Sequence, residues 1–116
     1  MTDAVIWHNP GCQTSRNVLG QLRSAGIEPR IVEYLKTPPS RDELVDVVRR
    51  MGVPLRGILR RRGTRYDELG LGDPKLDDTV LLDAIGQHPV LIERPIVITA
   101  KGVRLCRPPE RVNEII

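Results

Sequence analysis

The segment HNPGCQTSRN (8–17) carries the residue best placed to do chemistry in this sequence, Cys12. It follows a short apolar run, AVIW (4–7), and precedes an amphipathic stretch, so it falls in an Asn-Pro-Gly turn between a strand and a helix. The first N–H groups of a helix have no partner inside it, and the helix dipole there favours negative charge. A thiol so placed ionises more readily, and the thiolate is the nucleophile. The same N–H groups form a cradle for an anion. Gly11 allows close backbone approach, and Thr14 and Ser15 add hydroxyls, so nucleophile and oxyanion site would share one loop. The plainer alternative is a structural thiol, since free cysteines are often buried.

His8 stands four residues before Cys12, across the turn. Charged, it would stabilise the thiolate; neutral, it would hold the loop by a hydrogen bond. A strand-end histidine with no chemical role is the third possibility. Ser15 makes the motif C-x-x-S, which excludes a dithiol cycle within the loop. An adduct on Cys12 would then be resolved by Cys106 or by a thiol from outside. Cys106 closes VRLC, a predicted strand, where a core or sheet position is expected, so an external thiol is favoured. Of the 18 basic residues 15 are Arg, whose forked guanidinium grips tetrahedral oxyanions in bidentate fashion. An Arg-rich proteome would produce the same count.

The elements that must position these groups follow from periodicity. AVIW predicts a buried strand, and a helix starting at Thr14 or Ser15 carries Val18, Leu19, Leu22 and Ala25 on one face and stops at Gly26. RIVEY (30–34) predicts a second strand, and a βαβ opening implies parallel pairing within an α/β sheet. Ser40 and Glu43 form a capping box for a helix carrying Leu44, Val47, Val48 and Met51. PLRGILRRR (54–62) reads as a short helix, and DDTVLLDAIGQH (77–88) as another with Leu81, Ala84 and Ile85 inward. After Arg94-Pro95, IVIT and VRLC flank Ala100-Lys101-Gly102 as a β-hairpin. Pro108-Pro109 then opens a terminal helix with Val112, Ile115 and Ile116 on one side.

The length of 116 residues suits one domain, 1–116, with an aliphatic core, since the sequence has no Phe, one Trp and two Tyr. No stretch has the length and apolarity of a membrane span, and MTDAVIWHNP lacks the basic and apolar regions of a secretory signal. A cytoplasmic location is the expectation, with both thiols reduced. Two cysteines 94 positions apart form neither a disulfide framework nor a zinc-ligand spacing, and no carboxylate or histidine pattern suggests a metal. No flavin or nucleotide motif is present, so no bound cofactor is expected.

Over essentially its whole length the sequence resembles the glutaredoxin-linked arsenate reductase family, of thioredoxin-like fold. The resemblance rests on HNPGCQTSRN (8–17), YLKTPPSRDEL (34–44), the Leu59-Arg60 pair before YDELGL (66–71), HPVLIERPIV (88–97) and RLCRP (104–108). It implies that Cys12 attacks arsenate and that Arg60, Arg94 and Arg107 bind the oxyanion. It further implies that His8 lowers the thiol pKa and that Pro95 is a cis-proline beside the active cysteine. Asn9, Ser15 and Arg16 fall in the same signature, with Thr14, as residues that order the loop. Glutathione is implied as co-substrate and glutaredoxin as partner. Arginines around a dianionic tetrahedron would offset its repulsion with the thiolate. Two features depart from the family pattern: Gln13 stands where a small residue is frequent, and the family's further C-terminal stretch is not seen after Ile116. Three other readings compete: an Spx-type redox regulator, which often carries C-x-x-C; a glutathione-dependent thiol oxidoreductase without arsenate activity; and a nucleic-acid binder suggested by the basic stretch 56–65. The last lacks interleaved aromatics and any helix-turn-helix or zinc pattern.

Overall fold

A computed structural model describes residues 4–116. Contacts divide the chain into two compact units, one made of residues up to Thr37 together with Arg94–Ile116, the other of Pro38–Glu93.

The first unit holds a four-stranded mixed sheet of order β2-β1-β3-β4, with β1 Val5–Trp7, β2 Arg30–Val32, β3 Ile96–Thr99 and β4 Gly102–Leu105. The predicted βαβ opening is present: β1 and β2 pair in parallel, joined by helix α1, Gln13–Ser24. β3 runs antiparallel to β1 and to β4, and the hairpin β3–β4 turns at Ala100-Lys101-Gly102 as expected. One row of the register matters most, because Val32, Trp7, Ile96 and Leu105 are consecutive partners across all four strands. The segments just beyond that row therefore meet at one end of the sheet. They are His8–Cys12 after β1, Arg94-Pro95 before β3 and Cys106-Arg107 after β4.

Ile6 and Val97 present one face of the sheet to Val18, Leu19 and Leu22 of α1, with Cys106, Val112 and Ile115 completing a wholly aliphatic and thiol core. Fully burying a side chain of Val or Leu size stabilises by about 1.5–3 kcal/mol, so this cluster fixes α1 on the sheet without aromatic help. The predicted terminal helix is instead a 3-10 helix, Pro109–Glu114, which still turns Val112 into the core. Gly26 follows α1 at a φ of 78°, the left-handed conformation that lets the chain turn back toward β2.

In the second unit, Ser40 caps α2, Arg41–Met51, through the full capping box with Glu43, and Leu44 and Val47 are its buried positions. Gly52 ends α2 with a φ of 71°. Asp77 caps α3, Asp78–Gln87, by accepting a hydrogen bond from the Val80 N–H. The helix expected over 54–62 is only a 3-10 helix, Leu55–Ile58. From Leu59 the chain extends and forms a bridge with Ile92, a long-range pairing that helical periodicity does not report. A second short 3-10 helix spans Pro89–Leu91. No helix among the described residues is long and apolar enough to cross a membrane.

Candidate active site

Cys12 is the N-cap of α1, with extended backbone angles, and its carbonyl accepts the first helical hydrogen bond from Arg16 at 3.0 Å. The helix thus starts at Gln13, a residue or two earlier than its apolar periodicity suggests, and places the thiol at the cap itself. The loop behind it is closed by short-range bonds. Asn9 Oδ1 accepts the Gly11 N–H at 2.9 Å, and the Cys12 N–H donates to the Asn9 carbonyl at 3.0 Å. Arg16 reaches back to donate to the Pro10 carbonyl and to Gln13 Oε1, each at 2.7 Å. Asn9 and Arg16 therefore brace the turn from opposite sides.

Cys12 is only 9% exposed. Burial is the largest single influence on its pKa and pushes it up, but a group of opposing effects outweighs it. The Ser15 backbone N–H, hydrogen bonding and charge from Arg94, and hydrogen bonding from Arg107 all favour the thiolate, and the net pKa lies below that of an ordinary thiol. Arg107 Nη1 lies 3.8 Å from Cys12 Sγ and donates to the Arg94 carbonyl at 3.1 Å. Both arginines arrive by the register row described above. The Arg94–Pro95 bond is cis, as the resemblance implies, and the Cys106 N–H donates to the Pro95 carbonyl at 2.9 Å, fixing Arg107 as the next residue out. A second cis bond, Arg107–Pro108, was not foreseen from the sequence.

His8 and Ser15 are both buried, and His8 Nδ1 lies 2.6 Å from Ser15 Oγ. Ser15 Oγ also accepts the Asn9 N–H at 3.1 Å. A hydroxyl both donates and accepts, so this contact is available to a neutral His8 with its hydrogen on either ring nitrogen. Burial lowers the His8 pKa most, with Glu33 opposing and Arg23 and Arg16 assisting, and the net shift is downward. The geometry therefore matches the neutral, loop-holding form of His8. The Ser15 hydroxyl is spent inside the loop, while its backbone N–H faces the thiol. Thr14, the second residue of α1, is half-buried beside it.

Arg60 belongs to the second unit, where its guanidinium pairs with Glu93, Nη1 to Oε1, at 2.7 Å. Glu93 is a partner that periodicity and motif spacing did not single out, although it stands beside Arg94 in the quoted ERPIV motif. Cys106 is fully buried, and burial pushes its thiol up to about 12, which suits the core position expected from the strand. Among the described residues no three or more His, Cys, Asp or Glu side chains gather as metal ligands. An activated thiolate with two guanidiniums beside it is equipped to attack an electrophilic centre carrying negative oxygens.

The ArsC family profile matches residues 7–115. The arsenate reductase of Escherichia coli K12 is 52% identical over 116 residues, all of this chain and 82% of that protein. That of Rhizobium meliloti is 54% identical over 111 residues, 96% of this chain and 79% of its own. The structure of an arsenate reductase from Vibrio cholerae superimposes with a TM-score of 0.95 at 43% identity, covering 99% of this chain and 98% of that one.

Proposed function

Because this chain belongs to the ArsC family and has its thioredoxin-like fold, we propose that it is an arsenate reductase with Cys12 as the nucleophile. The observation that carries the reading is the Arg107 guanidinium 3.8 Å from a cysteine held at the N-cap of α1. Arg94, Arg107 and Arg60 bind the arsenate oxygens, and the Cys12 thiolate attacks arsenic. One oxygen leaves as water after protonation, and a sulfur–arsenic(V) bond forms.

Ser15 cannot supply a second thiol, and Cys106 is buried in the core, so resolution falls to an external thiol, glutathione. The glutathione sulfur attacks Cys12 Sγ, and the S–As bond breaks with its electron pair left on arsenic. Arsenite departs, and a Cys12–glutathione disulfide remains. Glutaredoxin takes up the glutathionyl group and returns Cys12 as thiolate. This chemistry fits a reducing cytoplasm and requires no bound cofactor.

The test is a coupled assay with arsenate, glutathione, glutaredoxin, its reductase and NADPH. Arsenate-dependent NADPH oxidation by the natural protein, abolished in Cys12→Ser, is the expected result. Equal rates for the two proteins would overturn the assignment. Turnover of glutathionylated peptides with none of arsenate would favour the thiol-oxidoreductase alternative.

A further inference from the structure

Arg60 is fixed more tightly than a solvent-facing arginine needs to be. Its side chain is only 16% exposed, and that of Glu93 is 21% exposed. The two stand on facing strands of a small clip. The Arg60 N–H donates to the Leu91 carbonyl at 2.7 Å, the Glu93 N–H donates to the Ile58 carbonyl at 2.7 Å, and Leu59 bridges Ile92 between them. The guanidinium is then held at two points, with Nε donating to the Arg62 carbonyl at 3.0 Å and Nη1 to Glu93 Oε1 at 2.7 Å. Nη2 makes no hydrogen bond among the described residues. By contrast Arg61 and Arg65, on the same basic stretch, pair with Asp67 and Glu68 through side chains more than half exposed. Exposed pairs of that kind contribute little. The basic run 60–62 thus contains one arginine whose direction is set and others whose direction is not.

We propose that Glu93 is a positioning residue for the reaction, fixing the direction of the Arg60 guanidinium before the oxyanion binds. This rests on the reading that Arg60 binds arsenate. A free arginine gives up considerable rotamer freedom when it grips a ligand; one already locked by a carboxylate and a carbonyl has given it up on folding. The role of Glu93 passes through Arg60 and involves no contact with the reacting atoms.

A double-mutant cycle on arsenate reduction tests this, using the full chain and purified variants checked for an unchanged thermal transition. Arg60→Ala, Glu93→Ala, Glu93→Gln and Arg60→Ala/Glu93→Ala are compared. Glu93→Ala should raise the KM for arsenate about tenfold with kcat changed less. Glu93→Gln, which keeps the acceptor oxygen, should recover most of that loss. In the Arg60→Ala background, Glu93→Ala should add nothing, because coupled residues are non-additive. If Glu93→Ala costs the same with and without Arg60, the positioning role is wrong while Arg60 keeps its place. If Arg60→Ala alone leaves the arsenate KM unchanged, Arg60 is not a binding residue and the proposal falls with it. Should Glu93→Ala fail to fold, Glu93→Gln measured with and without Arg60→Ala decides: an additive loss refutes the coupling.

Discussion

Replacing Arg107 by Ala should slow the reaction of Cys12 with an alkylating reagent on the acid side of its pH profile. The guanidinium Nη1 stands 3.8 Å from the sulfur. Two opposite unit charges at that separation attract by about 1 kcal/mol in bulk water and about 4 kcal/mol at an effective dielectric constant of 20. Arg107 is an exposed residue, so solvent screening pulls the value toward the lower figure, about 1–1.5 kcal/mol. Where the thiolate is the minor species, that loss lowers its population by about five- to tenfold, since 1.4 kcal/mol is a factor of ten. The whole profile shifts to higher pH, while the plateau rate at high pH rises slightly or stays level, because a more basic thiolate is intrinsically more nucleophilic. Iodoacetamide kinetics followed by mass spectrometry measure both limbs. Arg107→Lys should fall between, and raising the salt concentration should narrow the gap between Arg107→Ala and the natural protein. Arg111→Ala, on the terminal 3-10 helix and acting electrostatically on Cys106, is the control and should leave the profile in place. Coincident profiles for the natural protein and Arg107→Ala would refute the argument that this guanidinium holds the resting thiolate.

Two further outcomes follow from the titratable groups. His8 is depressed below its ordinary value of 6.5, mainly by burial, so the unfolded chain binds a proton more readily than the folded one. The stability this group contributes is therefore full above about 6.5 and is lost as pH falls below it toward the folded pKa, and His8→Gln should flatten that limb of the urea midpoint against pH. Cys106, pushed up to about 12 by burial, should resist alkylation at pH 8 in the folded protein. Mass spectrometry should show one adduct on the native chain and two in concentrated urea, and two adducts without denaturant would contradict the core placement of Cys106.

The parts of the fold legible in the sequence are those whose causes are local. Ser40 and Glu43 are three residues apart and cap the same helix they announce, and Gly26 and Gly52 end helices by adopting positive φ. The hairpin around Ala100-Lys101-Gly102 is equally local. What was misread depends on distant partners. Leu59 leaves helical geometry because it bridges Ile92, and the terminal segment stays 3-10 while still burying Val112. The site divides in the same way. Cys12 is recognisable from its turn, but Arg94 and Arg107 reach it only through the register of Trp7, Ile96 and Leu105, which no spacing along the chain reports. Family motifs marked both arginines; geometry explains why they meet. The Ser15 side chain shows the limit most clearly, since a hydroxyl expected to face an anion is instead enclosed with His8.

The proposed reaction asks one set of guanidiniums to serve two anions in turn, and the geometry at Arg107 bears on how that works. In the resting site its Nη1 faces the thiolate, while the Arg94 carbonyl takes another hydrogen bond from the same nitrogen and keeps the side chain from collapsing wholly onto the sulfur. An incoming arsenate is repelled by the thiolate and attracted by the same cation. As the S–As bond forms, sulfur loses its charge and no longer competes for the guanidinium, so the donor becomes available to the oxygens at the moment they need it. Stabilisation of this kind is larger in the transition state than in either separated partner, which is the condition for raising kcat and not merely lowering KM. A site that relied on His8 as the counter-charge would lack this property, because a neutral, buried histidine has no charge to transfer from one anion to the other. On the proposed mechanism the arginines serve both thiol activation and oxyanion binding, and His8 and Ser15 are left with the task of holding the loop that aims Cys12.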